Sequence, residues 1–500
     1  MLKNTAFLYF RMLLTMLISL FTSRIILQKL GIVDYGIYQT VGGLVAILAQ
    51  LQSSLSMGSS RFLTYELGRK DFKKLRDTFS TVLTVHFIIA FLVVIVAETF
   101  GLWLLFNKLV IPEERFYAAF FAFQASLVVT FFNLTQIPYK ASIMSHERMG
   151  VYAYLSIVEV SLSLAIVYLI SIVSFDKLIV YSLLLCIVHV SITLYYRYYC
   201  IRKFKETHYR FFYDKTIIKN VFSFSGWNFF ATTSLAFSNQ GITLLTNMFF
   251  GPAVVTARGL ANQVNSAILQ FVGNFRVAIN PQIVKKQASG DVIGSQQLLL
   301  VSTKYCFFLF LIIGFPVWLV TDELLELWLG VVPIYTSSFL KIILITALVN
   351  SIDQSFFIAF YAIGRIKENS ITTALFFFMA FLATYISFKL SSSPLMSVIY
   401  LLIAQIIIAF FAKPLLMKKY AVYDIKEIYS IIFKCLIVLA IAVPIPIISS
   451  IYLNSLICNK LLALFIKVFI AFFTIGGVVW TIGVDNNERV LIKTLIKEKI

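Results

Sequence analysis

Residues 24–38 read RIILQKLGIVDYGIY, and they close an apolar run at Leu30-Gly31 before a second, weakly polar helix that leads to Ser59-Ser60-Arg61. About 220 residues further along, Phe250-Gly251 closes another apolar run in the same way. A polar helix follows there too, and it leads to Asn280-Pro281. This recurrence predicts two parallel halves related by an axis along the membrane normal, an arrangement found in transporters whose substrate site lies between the halves.

The composition of the chain is that of a membrane protein. Of its 500 residues 60% are hydrophobic and 13% are charged, and the mean hydropathy is +0.90, whereas a soluble domain carries about 25% charged residues. Apolar stretches of about 20 residues recur along the chain, each long enough to cross roughly 30 Å of hydrocarbon. We therefore predict an all-α polytopic membrane protein with fourteen spans, at about 5–28, 37–60, 79–105, 116–137, 150–173, 178–199, 221–248, 254–279, 298–320, 337–361, 370–390, 394–413, 429–451 and 461–483.

Basic residues are unevenly distributed among the predicted loops. With the amino terminus inside the cell, 29 of the 42 Lys and Arg fall on the cytoplasmic side, 6 outside and 7 within spans. Cytoplasmic loops of membrane proteins carry excess Lys and Arg, so both termini are predicted to be cytoplasmic. This topology also accounts for most of the net charge of +19 without a nucleic-acid partner. The predicted parts are an N-terminal lobe at 1–200, a linker at 201–220, a C-terminal lobe at 221–413, a linker at 414–428, an appended helix pair at 429–483 and a tail at 484–500.

Cations outnumber carboxylates within the predicted spans. A cation near the bilayer centre costs roughly 2.5–3.5 kcal/mol on insertion scales, and the spans contain three acids, Glu98, Glu159 and Asp353. The surplus predicts an aqueous cavity for an anionic ligand. Asp353 would bind a coupling ion or, as we favour, neutralise an arginine, and Glu159 is the second candidate for ion coupling. The seven basic residues are Arg11, Arg24, Arg258, Arg276, Lys304, Lys341 and Lys467; we expect the side chains of Lys341 and Lys467, near span ends, to extend to the interface.

Polar residues fall on one face of the second, seventh and eighth spans. On the eighth span they recur at helical spacing, with an arginine at each end of the face and apolar residues between. We predict that the three faces line one aqueous cleft. The alternative is that Ser, Thr and Asn join neighbouring helices by hydrogen bonds, as is common in membranes. The polar residues that we expect to bind substrate in the cleft are Arg61, Asn228, Asn239, Arg258, Asn262, Asn265 and Arg276.

The cysteines and histidines give no sign of a metal or cofactor. The five cysteines lie in or beside apolar runs, and neither they nor the four histidines have metal-ligand spacing. We predict no metal site and no cofactor.

Residues 24–38, an arginine at the end of a helix followed by LG..DYG.Y, resemble the polysaccharide-flippase branch of the multidrug/oligosaccharidyl-lipid/polysaccharide exporter superfamily. In that family the second helix leads to a glycine and a basic residue, here Gly58 and Arg61. The resemblance implies a transporter of the bacterial cytoplasmic (inner) membrane, not an enzyme. It would flip polyprenyl-pyrophosphate-linked oligosaccharide repeat units to the outer leaflet, by alternating access between two six-helix lobes, for surface polysaccharides such as O-antigen or capsule.

The resemblance also implies particular roles and partners. Arg24 and Arg258 would contact the pyrophosphate in the central cavity, and the last two spans would form a groove for the polyprenyl tail. The implied partners are the lipid-linked anionic oligosaccharide, membrane lipid, and the polymerase and glycosyltransferases of the same glycan. The residues alone leave a structural alternative for Arg24, an ion pair with Asp34.

Two rival functions are consistent with a polytopic membrane protein. A multidrug or organic-cation exporter of the same fold would need carboxylates in its cavity, where this chain has an excess of cations. A glycosyltransferase or polymerase of the envelope would be expected to carry its catalytic residues in long external loops, and the predicted external loops here are short.

Overall fold

The computed structural model describes residues 2–49, 59, 63, 66–67, 69, 71–146, 148–212, 214, 238–421, 423–457, 459–486 and 488–489. All regular structure in this part of the chain is helical, as predicted. In the first half lie α1 (Leu2–Ala49), α2 (Phe72–Asn107), α3 (Phe116–Ser145), α4 (Met149–Leu169), α5 (Lys177–Lys203) and α6 (helical over 238–250). These are followed by α7 (Pro252–Ala288), α8 (Val292–Leu319), α9 (Thr321–Leu329), α10 (Thr336–Ala362), α11 (Ile366–Lys389), α12 (Met396–Ala421), α13 (Ile425–Ala442), α14 (Pro444–Leu456) and α15 (Lys460–Gly483).

The described helices confirm a multi-pass membrane protein. Ten helical segments among the described residues are long and apolar enough to cross a membrane. Predicted spans 1 and 2 run together in α1, span 5 corresponds to a shorter apolar helix at Tyr154–Leu169, and α7, at the position of span 8, is not among the ten. Span 7 is described only over 238–250. The number fourteen therefore stays a prediction.

Two local features of the backbone each occur twice in the chain, with the same sequence distance between the copies. Gly31, which interrupts α1, and Gly251, which follows α6, both have positive φ, 83° and 80°, a conformation that glycine adopts without steric cost. Asp71 and Asp291 cap the amino ends of α2 and α8, where each carboxylate accepts a backbone amide of the first turn, at 3.0 Å and 2.9 Å. Each pair is separated by 220 residues, the offset of the sequence recurrence. The parallel repeat itself remains a prediction.

The chain forms two compact units. The first comprises Met1–Leu260 and Phe377–Ser397, and the second comprises Ala261–Phe376 and Val398–Ile500. In the first unit, α1, α2 and α3 pack around Phe123, and α2, α3 and α5 pack around Phe79. In the second unit, α8, α10, α13 and α15 share a core that includes Phe308 and Phe356. Many other large apolar side chains stay exposed on the helix surfaces, as expected of helices that face lipid.

Candidate functional site

In the first unit, α1, α6 and the start of α7 are in contact through residues that lie beside the predicted polar faces. Gly36 of α1 lies against the first turn of α7, where a Cβ on this glycine would come within 1.9 Å of the carbonyl oxygen of Pro252. Thr256 Oγ1 donates to the carbonyl of Ile32 at 2.6 Å. Asn247 Nδ2 of α6 donates to Thr40 Oγ1 at 3.3 Å. Glycine and small polar residues therefore hold α1, α6 and the start of α7 in close contact.

Arg258 lies in this junction, and its side chain is buried, with 4% of the residue exposed. Its Nη1 donates to Thr243 Oγ1 at 2.7 Å and to the carbonyl of Asn239 at 3.3 Å. Its Nε is buried and has no acceptor among the residues that the structure describes. Among the described residues, no carboxylate pairs with this guanidinium. Because a buried arginine without a counter-ion is costly, the arrangement suits a ligand that brings negative charge to Arg258.

The other predicted site residues lie in different surroundings. On α7, Asn262 is exposed, while Asn265 is half-buried with an Oδ1 that has no donor. Arg276 belongs to the second unit, where it is half-buried within electrostatic reach of Asp353. Arg24 is half-buried on α1. The backbone carbonyl of Asn239 accepts a hydrogen bond from Arg258, and Asn239 is an exposed residue.

Two of the residues expected to bind substrate, Arg61 and Asn228, lie outside the residues that the structure describes. Their participation in the cleft stays a prediction. The side chain of Arg11, one of the seven basic residues within the predicted spans, is also outside the described part of the chain.

Asp34 of the LG..DYG.Y motif is held by Arg115. Arg115 Nε donates to Asp34 Oδ1 at 2.7 Å, and its Nη2 also contacts this carboxylate. Its Nη1 donates to Asp176 Oδ2 at 2.5 Å. One arginine at the start of α3 therefore joins α1 to the loop before α5. An ion pair between Arg24 and Asp34, the alternative role for Arg24, would have to share a carboxylate that Arg115 already contacts.

Three lysines of the cationic surplus are neutralised by carboxylates from outside the predicted spans. Lys304, 1% exposed, pairs with Glu488 at 2.7 Å. Lys341 pairs with Asp322 at 2.8 Å. Lys467, 3% exposed, pairs at 2.6 Å with Glu323, whose side chain is 30% exposed. The expectation that Lys467 extends to the interface stays a prediction.

The two candidate coupling carboxylates also have partners. Asp353 forms an ion pair with Lys413, a residue that the sequence analysis placed at the cytoplasmic end of span 12. Asp353 therefore neutralises a lysine, and Arg276 also lies within electrostatic reach of this carboxylate. Glu159 pairs with His189 at 2.8 Å. In the described part of the chain, no cluster of three or more His, Cys, Asp or Glu is arranged to hold a metal.

Sequence reasoning missed Arg115 and Arg197. Arg115 lies in the predicted external loop between the spans at 79–105 and 116–137, and Arg197 at the cytoplasmic end of the span at 178–199, yet each is anchored among helices. The signal available for Arg197 was its position at the end of an apolar run that contains Thr193 and Tyr196.

No protein-family model matches the sequence, and no curated protein matches it. Among solved structures, the lipid II flippase MurJ in an inward closed conformation is similar, with a TM-score of 0.70 and 14% identity over 96% of this chain and 98% of that one. An inward-facing multidrug resistance MATE family transporter of the MOP superfamily has a TM-score of 0.69 and 14% identity over 81% of this chain and 95% of its own. A MOP superfamily transporter from Pyrococcus furiosus, described by a reversed polarity of its binding pocket, has a TM-score of 0.60 and 13% identity over 85% and 96%. The chain thus has the fold of these transporters.

Proposed function

We propose that this protein is a transporter that flips polyprenyl-pyrophosphate-linked oligosaccharide repeat units from the inner to the outer leaflet of a bacterial cytoplasmic membrane, by alternating access. The observation that carries this proposal is Arg258, a buried guanidinium with hydroxyl and carbonyl partners and no carboxylate among the described residues. The similarity to a lipid II flippase supports the same class of substrate.

The chemistry of the substrate suits this arginine. A pyrophosphate cannot cross hydrocarbon unaided, and a guanidinium replaces part of its hydration with two parallel, charge-assisted hydrogen bonds. Arg24, Arg61 and Arg276 would add positive charge along the path. The amides of Asn228, Asn239, Asn262 and Asn265 would give hydrogen bonds to a glycan that passes without tight recognition.

Two of the similar structures are multidrug MATE transporters, so export of organic cations is the second candidate. A cationic substrate needs carboxylates that are free to receive it. In the described residues, Asp353 is occupied by Lys413 and Glu159 by His189, while Glu98 accepts a hydrogen bond from Gln124 at 3.3 Å. The charge of the site therefore favours an anionic substrate.

The test is glycan export by Arg258 variants. In a deletion strain complemented with each variant, Arg258→Ala should reduce surface glycan severely, while the protein remains in the membrane at the wild-type level. Loss of one charged hydrogen-bonded contact costs about 1.5–3 kcal/mol, or roughly ten- to a hundredfold in binding. Arg258→Lys should rescue partly, because it keeps the charge but loses the planar fork.

Arg365→Ala serves as the control for this experiment. Arg365 forms an exposed pair with Glu368 at 3.5 Å, and such pairs contribute little. Its removal should leave export unchanged. Wild-type export from Arg258→Ala would refute the proposal that this residue holds the pyrophosphate.

A further inference from the structure

A second arginine without a carboxylate partner lies in the first unit, between α3 and α5. The guanidinium of Arg197 lies over the rings of Phe132 and Tyr139, 5.3 Å and 5.7 Å from their centroids. Its Nη2 donates to Thr135 Oγ1 at 2.5 Å, and its Nε is buried with no acceptor in the described part of the chain. Among the residues that the structure describes, no carboxylate pairs with Arg197. The two rings and the hydroxyl fix the plane of the guanidinium.

A second unsatisfied donor lies one residue after Thr135. Gln136 is 1% exposed, and its Oε1 accepts a hydrogen bond from Thr193 Oγ1 at 3.0 Å, which leaves Nε2 buried with no acceptor among the described residues. A buried donor without a partner costs about 1–3 kcal/mol, and more when it is charged. This part of α3 and α5 is therefore rich in donors and poor in acceptors, and an anionic acceptor that reaches Arg197 would satisfy its guanidinium.

The depth of Arg197 in the bilayer indicates which ligand could reach it. Arg197 is six residues before Lys203, the end of α5, which corresponds to about 9 Å along a helix. The headgroup region on each side of a bilayer is roughly 5–8 Å thick. Arg197 therefore lies near the boundary between headgroups and hydrocarbon, where lipid phosphates are found.

We propose that Arg197 binds the phosphate group of a membrane lipid. A guanidinium held by two aromatic rings and a hydroxyl keeps its remaining N–H groups for the two-point contact that a phosphate accepts. The lipid is either a bulk phospholipid or the lipid-linked substrate on its way to the central site. The proposal rests on contacts within α3 and α5 and not on Arg258.

The experiment measures lipid binding to the purified full-length protein by native mass spectrometry. Phosphatidylglycerol is compared with diacylglycerol of the same acyl chains, and a polyprenyl pyrophosphate with the corresponding polyprenol. Each lipid is tested on the wild type, Arg197→Gln, Arg197→Lys and Arg202→Gln. Arg202 is the matched control, because it is an exposed arginine on the same helix that also lies over a tyrosine ring, 4.8 Å from the centroid of Tyr198.

We expect the phosphate-bearing lipids to bind the wild type and Arg202→Gln equally, and Arg197→Gln roughly ten- to a hundredfold more weakly. Arg197→Lys should be weakened too, because it lacks the fork, and it decides the question if Arg197→Gln does not fold. The proposal would be overturned if both phosphate-bearing lipids bound the wild type and either folded Arg197 variant equally. It would also be overturned if each phosphate-bearing lipid bound no better than its phosphate-free counterpart.

The same data separate the two sources of phosphate. A defect confined to polyprenyl pyrophosphate identifies the transport substrate, and a defect shared by phosphatidylglycerol identifies bulk lipid; both support the site. Normal glycan export by Arg258→Ala would leave these outcomes intact, so failure of the proposed function and failure of this inference are distinguishable.

Discussion

Replacing Arg115 with methionine tests whether Asp34 of the LG..DYG.Y motif has a structural role. Arg115 donates to Asp34 and Asp176, and the three side chains are 25%, 14% and 30% exposed. Methionine keeps much of the apolar length of the side chain but leaves two carboxylates without their shared cation. We therefore expect Arg115→Met to destabilise the first unit without removing any group from the proposed substrate path.

The magnitude follows from the burial of this cluster. An exposed ion pair contributes about 0.2–1 kcal/mol, and removal of one partner from a fully buried pair costs about 3–5 kcal/mol. The triad lies between these limits, so Arg115→Met should cost about 2–3 kcal/mol. Asp34→Asn should cost about 1 kcal/mol, because Arg115 keeps Asp176 and the amide oxygen still accepts one hydrogen bond.

The assay is thermal unfolding of the purified protein in detergent, with all variants compared at one scan rate because such unfolding is commonly irreversible. The midpoint should fall most for Arg115→Met, less for Asp34→Asn and not at all for Arg148→Met, which changes an exposed arginine. A wild-type midpoint for Arg115→Met would refute the reasoning. If Asp34→Asn abolished glycan export with an unchanged midpoint, the motif aspartate would instead belong to the substrate path.

Three further predictions concern packing, the tail and topology. Gly36→Ala should prevent accumulation of folded protein, since its Cβ would meet the Pro252 carbonyl at 1.9 Å. Gly42→Ala, whose Cβ would meet no described atom within 4 Å, should accumulate normally on a membrane immunoblot. Hydrogen bonds from Lys434 and Lys304 hold the pKa of Asp485 below its usual 3.8. The stabilisation that ionised Asp485 gives the folded protein is therefore present above pH 3.8 and lost as the pH falls further. The difference in unfolding midpoint between the wild type and Asp485→Asn should shrink below pH 3.8. Cysteines introduced at 69–76 should be labelled only from the cytoplasm and those at 322–326 only from outside, and the reverse labelling would overturn the predicted topology.

The fold was accessible from sequence because lipid imposes one strong rule. A segment in hydrocarbon must satisfy its own backbone, so long apolar runs become helices, and most predicted spans match described helices closely. The exceptions are informative. Spans 1 and 2 continue into one another at Gly31, because a single left-handed glycine redirects the chain without a loop. No hydropathy window detects such a junction.

The candidate site was only partly accessible from sequence. Helical spacing placed Arg258 on the polar face of its span, and the structure adds the hydroxyl of Thr243 as its partner. Ion pairs between distant parts of the chain were inaccessible, since periodicity within one helix carries no information about a partner 181 or 184 residues away, such as Asp485 or Glu488 for Lys304. For the same reason the sequence assigned Asp353 to an arginine, where the structure pairs it with Lys413.

These pairs change the meaning of the cationic surplus. Seven bases against three acids suggested a cavity with positive charge spread along its length, but Lys304, Lys341 and Lys467 are neutralised by carboxylates from loops and the tail. A substitution at Lys467 should therefore impair folding, because it leaves Glu323 without its partner. A substitution at Arg258 leaves no described carboxylate behind, so its cost should fall on transport. The position of an intramembrane cation matters less for function than whether the protein already supplies its counter-ion.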